Sequence, residues 1–559
     1  MVRKILERIT APVRGLHQAA YLLAALTLAS QALALLRDRT FAHTFGAGPV
    51  LDLYYAAFRV PDLVFALVSS LVSAYVIIPR ITGADKETIR TILSESATFL
   101  LGVGGLICLV LSFLVPQLLA FLYPDFAAST RQGEFILLTR LLLLQPILLG
   151  LSGVLASVTQ VYRRFLLFAL SPVLYNLGII FGTVFLYPRF GLVGIGIGVV
   201  AGSFAYLMVN VPVVVLSDVV PTFRFPTLAR MLPIIRDSIP RSLALGMGSF
   251  TALALTALAS RIGTGAVSVF TLAGNLEAVP LALIGASYAV AAFPALSEAS
   301  ALEKRSEFVR ILSASARHII LWSIVFLGLI IVLRAHIVRV ILGTGAFDWN
   351  ATRLTAALLA ILAIGLVAQG LVLLFSRALY AVKQSWRPLL YQLMGGALTV
   401  LFAVLFEMPS LGLVQPLSSF LRVGGVPETA VLLIALSSTL GQIFLAILSL
   451  FALRGAAPGL ARLLVRPFVD GSVASCVGAA AAYMTLSFEG NIAPLTTLFA
   501  VFTQGLVAGI VGLVAAAVAL FLMKNEEFGA IVHALHKLAR KHKGRVAVLP
   551  PSADEPVQP

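Results

Sequence analysis

Apolar stretches of 18 or more residues, separated by short polar or turn-rich breaks, recur along the chain from about residue 18 to residue 523. At 1.5 Å per residue, such a stretch crosses a hydrocarbon core of about 30 Å as a helix. The apolar positions run continuously and do not alternate, which argues against lipid-facing barrel strands. Fourteen helices are predicted, near 18–45, 51–80, 91–123, 134–159, 164–187, 191–217, 232–261, 267–298, 311–341, 351–381, 386–407, 427–453, 467–487 and 494–523. The predicted fold is therefore all-α and polytopic. The ninth helix reads as interrupted near Gly343–Asp348, a turn-rich stretch expected at one membrane interface.

The pattern repeats. Phe45-Gly46-Ala47-Gly48 returns as Ile262-Gly263-Thr264-Gly265, 262 − 45 = 217 residues later. Each copy leads into an apolar stretch with two prolines, Pro61 and Pro79 in the first and Pro280 and Pro294 in the second. Pro172-Val173-Leu174-Tyr175-Asn176-Leu177 returns as Pro388-Leu389-Leu390-Tyr391-Gln392-Leu393, 388 − 172 = 216 residues later. Two markers with nearly one shift indicate duplication of a whole unit. Helices one to six form one copy and seven to twelve the other, and helices thirteen and fourteen stand outside. An even number of helices per copy makes the repeats parallel, related by an axis along the membrane normal. Such repeats point to a transporter whose halves rock around a central site. The expected units are 1–17, a basic interfacial segment; 18–225 and 226–455, the two lobes; 456–523, the extra helices; and 524–559, a basic and then disordered tail.

Composition agrees: 60% of residues are hydrophobic, 11% are charged, and mean hydropathy is +1.01. No soluble domain of this length carries so little polar surface. No cleavage pattern follows the first apolar run, so it reads as a retained span. The net charge of +16 sits in short loops with no basic, aromatic-interleaved domain, which argues against nucleic acid. With the N-terminus inside, cytoplasmic segments hold about 28 of the 40 basic residues and outer loops about seven, so both termini are expected in the cytoplasm. The basic ends are expected to lie on anionic inner-membrane lipids. Cys108 and Cys476 lie in separate spans, and the seven histidines form no metal-ligand cluster. His533 and His536 read as a solvated tail face. No cofactor motif, nucleotide loop or catalytic set is present, so the chain reads as a transporter and not an enzyme. The series Gly191, Gly194, Gly196, Gly198 and Gly202 has no strand before it and reads as close helix packing.

Charge beside or within spans is the strongest chemical clue, because an ionisable group at bilayer depth costs about 2.5–3.5 kcal/mol unless it faces a cavity or a partner. The first copy has Arg37, Asp38, Arg39, Asp52, Arg59 and Asp62. Asp52 and Arg59 are two turns apart and share a helix face. Arginines in a cavity suit a phosphate or diphosphate, whose oxygens the guanidinium fork binds in pairs. Alternatively Arg37, Asp52 and Arg59 pair with one another as an ion-pair lock between helices. Asp52 cannot bind an anion and is expected to orient or gate. In the second copy, Asn275 and Glu277 fall where a cavity-facing pair is expected. Arg241 and Arg377, near helix ends, read equally well as interface anchors.

The run Arg37-Asp38-Arg39-Thr40-Phe41-Ala42-His43-Thr44-Phe45-Gly46-Ala47-Gly48, followed by Asp52-Leu53-Tyr54-Tyr55-Ala56-Ala57-Phe58-Arg59-Val60-Pro61-Asp62-Leu63, resembles the opening of the MurJ (MviN) family. These are lipid II flippases of the multidrug/oligosaccharidyl-lipid/polysaccharide exporter superfamily. Pro172–Gly202, Ile239–Pro294 and Gly345–Asp348 also resemble that family, and the likeness covers about residues 25–455. The resemblance implies fourteen helices and a central cavity to which Arg37, Asp52 and Arg59 belong. It implies a lipid-linked diphosphate sugar precursor as substrate, moved across the bacterial inner membrane for peptidoglycan synthesis, with cell-wall synthesis proteins as partners. The chain also departs from the pattern. Phe65, Ala66, Ser70 and Leu71 stand where the family has paired arginines and a Glu-Gly, Gly274 and Asn275 where it has Asp-Arg, and Gln31 where it has an arginine.

The resulting expectation is an alternating-access flippase for undecaprenyl-diphosphate-linked peptidoglycan precursor. Arg37, Arg59, Asp52 and Asn275 form its substrate site, and the prenyl tail lies near helices thirteen and fourteen, which have no charge to offer. The alternatives are a polysaccharide-lipid flippase or cation-coupled exporter of the same fold, or a membrane scaffold that has lost the site. Two or more arginines converging in the cavity favour flipping.

Overall fold

A computed structural model describes residues 16–162, 164–408, 412–490, 497–530 and 532–533. Residues 1–15 of the expected N-terminal interfacial segment, half of the 488–493 stretch between helices thirteen and fourteen and most of the tail lie outside those residues. No strand occurs among the described residues. The first copy supplies α1 (Leu16–Phe45), α2 (Pro49–Leu67), α3 (Ala74–Ile81), α4 (Lys86–Phe99), α5 (Gly105–Leu122), α6 (Gln132–Leu142), α7 (Leu144–Val161), α8 (Phe165–Phe181) and α9 (Leu192–Met208). The second supplies α10 (Leu228–Ile262), α11 (Ala266–Leu281), α12 (Ser287–Ala301), α13 (Arg305–Ile341), α14 (Trp349–Ile364), α15 (Leu366–Ala381), α16 (Trp386–Phe406) and α17 (Val431–Ala452). The two helices beyond the repeat are α18 (Leu460–Gly490) and α19 (Leu498–Leu522).

Among the described residues, eleven helices are long and apolar enough to span, or up to thirteen if each of two bent pairs counts as one span. The expected count of fourteen is therefore not confirmed. Part of the reason is that the predicted spans 51–80 and 351–381 are each broken. The chain bends by 41° between Leu67 and Ser69 and by 44° between Ile364 and Leu366. The expected interruption at Gly343–Asp348 is corrected. These residues are a loop between α13 and α14, ended by Asp348, whose carboxylate accepts from Ala351 N at 2.7 Å and caps α14.

Glycine sets how closely the first lobe packs. A Cβ on Gly178 would lie 2.4 Å from Gly202 Cα, and one on Gly198 would lie 2.5 Å from Gly182 Cα. The backbones of α8 and α9 therefore touch, which is what small residues at four-residue spacing permit in a bilayer. The glycine series thus serves packing. In the second lobe, Gly441 and Gly395 bring α17 against α16 over Thr399.

The two lobes meet at one end of the molecule. Gly46, at φ +63°, turns α1 into α2, and a Cβ there would lie 2.4 Å from Ala346 O. Ala346 N donates to His43 O at 3.0 Å, and a Cβ on Gly265 would lie 2.7 Å from Ala47 O. Both Gly-x-Gly loops therefore sit on the same side, as parallel repeats require. The inter-lobe linker crosses at the other end, tied to α4 by Thr222 N donating to Ser94 Oγ (2.9 Å) and Arg224 Nη1 donating to Thr91 Oγ1 (2.7 Å).

α18 packs against α13, and α19 against α18, through small residues: a Cβ on Gly328 would lie 2.2 Å from Ser475 Oγ, and one on Gly478 would lie 2.7 Å from Gly512 O. The expectation that these helices carry no charge is corrected for α18, where Asp470 accepts from Asn525 at 2.8 Å. Just beyond α19, Glu526 and Glu527 pair with Arg317 of α13, the former at 2.7 Å. Charges that bare lipid would penalise are matched where the helices dock.

Candidate functional site between the lobes

Asp52 seals the end where the loops meet. It is fully buried, and its carboxylate accepts from Gly265 N (2.5 Å), Ser268 N (2.8 Å) and Ser268 Oγ (2.5 Å). The first turn of a helix leaves backbone N–H groups without intrahelical partners, and a carboxylate satisfies them with full charge. Here that carboxylate comes from α2 of one lobe and caps α11 of the other. Asp52 and Ser268 are 216 residues apart, one short of the 217 that separate Gly48 from Gly265, so Asp52 sits one position further into α2 than Ser268 does into α11.

Arg37 lies below this seal. Its guanidinium donates to Asp38 Oδ1 at 2.7 and 3.0 Å and to Asn176 Oδ1 at 3.2 Å. Asp38, 1% exposed, also accepts from Asn275 Nδ2 at 3.0 Å. The four side chains join α1, α8 and α11 and so link the lobes. The expected mutual lock of Arg37, Asp52 and Arg59 is therefore corrected: Arg37 pairs with its own neighbour, Asp52 caps a helix, and Arg59 Nε donates to Thr256 Oγ1 on α10 at 2.8 Å. The expectation that Asn275 and Glu277 form a cavity-facing pair also fails. Two residues apart on a helix, they point about 200° from each other. Glu277 turns into the second lobe, where Gln369 donates to it at 2.6 Å.

Arg59 lines a cavity of about 190 Å³ between α2 and the second lobe, with Thr251, Gln392, Ser438 and Gln442 among its walls. Gln392 also lines a larger cavity of about 750 Å³. That cavity lies toward the other end of the molecule. Arg241 precedes the sealed end of α10 by 21 residues, about 30 Å of helix. Arg80 from the first lobe and Arg241 and Arg377 from the second converge on it, among hydroxyls that include Ser70, Ser376 and Tyr380. Arg80 also pairs with Asp237 at 2.6 Å across the lobes.

Sequence reasoning named Arg241 and Arg377 but left them equally as anchors, and it passed over Arg80 as the end of a span. A signal was available, because the expected topology places the end of helix two, the start of helix seven and the end of helix ten on one side of the membrane.

A family model described as lipid II flippase MurJ matches residues 41–503. Lipid II flippase MurJ of Burkholderia cenocepacia is 25% identical over 397 residues, covering 67% of this chain and 75% of that protein. A probable lipid II flippase MurJ of Thermotoga maritima is 26% identical over 394 residues, covering 69% and 79%. Among solved structures, a lipid II flippase MurJ in an inward closed conformation matches with a TM-score of 0.72 at 19% identity, covering 90% of this chain and all of that one. An inward-facing multidrug resistance transporter of the MATE family matches with a TM-score of 0.60 at 18% identity, covering 78% and 95%. The structural matches bear on the fold, and the family model, spanning most of the sequence, bears on descent: the chain belongs to the MurJ family of lipid II flippases.

Proposed function

We propose that this multi-pass bacterial inner-membrane protein is an alternating-access flippase that moves lipid II, an undecaprenyl-diphosphate-linked peptidoglycan precursor, from the inner to the outer leaflet. One observation carries the reading: an arginine-lined cavity between two lobes that are latched together at the opposite end. A charged headgroup needs a polar route through the bilayer, and a route open at one end at a time avoids a leak. The headgroup enters the large cavity and passes Gln392 toward Arg59. When the lobes part at Asp52, Arg37 and Arg59 hold the diphosphate, with Asn275 beside Asp38 at the same level. Asp52 gates and does not touch the anion.

In this reading the open end faces the cytoplasm, as do both termini, and enzymes of cell-wall synthesis take up the delivered precursor. The test is complementation of a strain depleted of its own lipid II flippase. Rescue of growth and of labelled precursor at the outer leaflet is expected. A stably expressed chain that does neither overturns the proposal.

A further inference from the structure

We infer that Arg80, Arg241 and Arg377 form a diphosphate-receiving site at the open end of the space between the lobes. The ligand's identity as a lipid headgroup rests on the flippase reading; the anion preference rests on the site alone. Three arginines against one aspartate, Asp237, leave a formal surplus of two positive charges among the lining residues. A diphosphate joined to lipid and sugar carries two negative charges, and the cavity of about 750 Å³ is of a size that takes small-molecule ligands. The arginines come from α3, α10 and α15, so an anion held by all three bridges the lobes.

The present bonds of Arg80 and Arg377 leave them able to take a ligand. Arg377 Nη1 reaches Ala286 O at 3.5 Å, at the limit of a hydrogen bond. Arg80 holds Asp237, whose side chain is 62% exposed, and water-exposed ion pairs are weak. A bidentate diphosphate is the stronger partner for a guanidinium fork. Binding therefore exchanges the Arg80–Asp237 pair for a contact to substrate, releasing one tie between the lobes as the substrate arrives. The hydroxyl of Ser376 supplies a neutral donor for a remaining phosphate oxygen.

The experiment uses the full chain in nanodiscs, with farnesyl diphosphate, inorganic pyrophosphate and farnesol as probes. Farnesyl diphosphate is expected to bind more tightly than pyrophosphate, and farnesol weakly. Arg377→Gln and Arg241→Gln should each weaken diphosphate binding about tenfold or more, the size of a lost charge-assisted contact, and Arg377→Lys should restore it in part. Asp237→Asn should tighten binding by releasing Arg80, a gain that misfolding cannot imitate. Unchanged affinity in both Gln variants, or no gain in Asp237→Asn, overturns the site. Pyrophosphate binding more tightly than farnesyl diphosphate overturns the lipid assignment. If the variants behave as expected but the wild type fails to rescue a flippase-depleted strain, the flippase reading fails and the anion site stands. If wild type and a triple Gln variant rescue equally and bind alike, the reading stands and the site fails.

Discussion

The Arg37 guanidinium lies 2.7 Å from the carboxylate of Asp38, its own neighbour in sequence, and through it is tied to Asn275 of the other lobe. Asp38 is buried, so removing its cation leaves an uncompensated charge at bilayer depth. Breaking such a pair from one side costs about 3–5 kcal/mol. Arg37→Ala is therefore expected to lower thermal stability as well as transport. Arg37→Ala with Asp38→Asn should recover the melting temperature and leave flipping in reconstituted vesicles abolished. Arg131→Ala, at the start of α6, is the control and should change neither. Normal flipping by the double variant would reduce Arg37 to a structural role.

Asp52 offers a separate handle on the seal. Asp52→Ala removes three hydrogen bonds across the lobes. A charge-assisted bond is worth about 1.5–3 kcal/mol, enough to shift an open-to-closed ratio by about tenfold or more. A cysteine placed at Ala47, with Cys476→Ser as background, should react faster with an impermeant thiol reagent in the Asp52→Ala protein. An unchanged rate would mean that the loops, and not the cap, hold this end shut.

The glycine contacts predict a stability difference between two superficially equal substitutions. Gly198→Ala places a Cβ 2.5 Å from Gly182 Cα, whereas Gly153→Ala meets nothing within 4 Å. Overpacking of this kind costs about 1–3 kcal/mol. Gly198→Ala should melt several degrees lower in detergent, and Gly153→Ala should melt as the wild type does.

A pH effect is expected where α19 docks. Arg317, by hydrogen bond and charge, holds the Glu526 carboxyl below its ordinary value of 4.5. A depressed folded value means that the contribution is present above the unfolded value and is lost as pH falls through the folded one. Hydrogen-exchange protection at the end of α19, taken relative to the intrinsic rate at each pH, should fall only below about pH 4.5. Glu526→Gln should show the lower protection at neutral pH and little further change on acidification.

The helices and their duplication were legible because apolar length and repeated turn motifs are local signals. Lys86–Leu122 and Leu192–Leu216 appear as continuous spans close to where the pattern placed them. The bends near Val68 and Gly365 were not legible, since neither lies at a proline or in a polar break of the apolar pattern. Asp52 and Arg59 were read as sharing a helix face, but Thr256, the partner of Arg59, lies 197 residues away and no spacing rule points to it. Asp52 illustrates the same limit: its charge is visible in sequence, whereas the unpaired N–H groups it satisfies belong to a distant helix. That no arginine stands at Phe65 or Asn275 was plain to read. The meeting of Arg80, Arg241 and Arg377 around one cavity required knowing which helix faces line one space.

The cap of Asp52 on Ser268 also bears on ancestry. By the shift of 217 residues from Gly48 to Gly265, the place of Asp52 in the second copy falls to Val269, so the acid stands in one half only. In a dimer of identical single-copy chains, each arm would carry both the acid and the donors, or neither. A fused chain lets one arm keep the acceptor and the other the donors, a division of labour closed to a symmetric assembly.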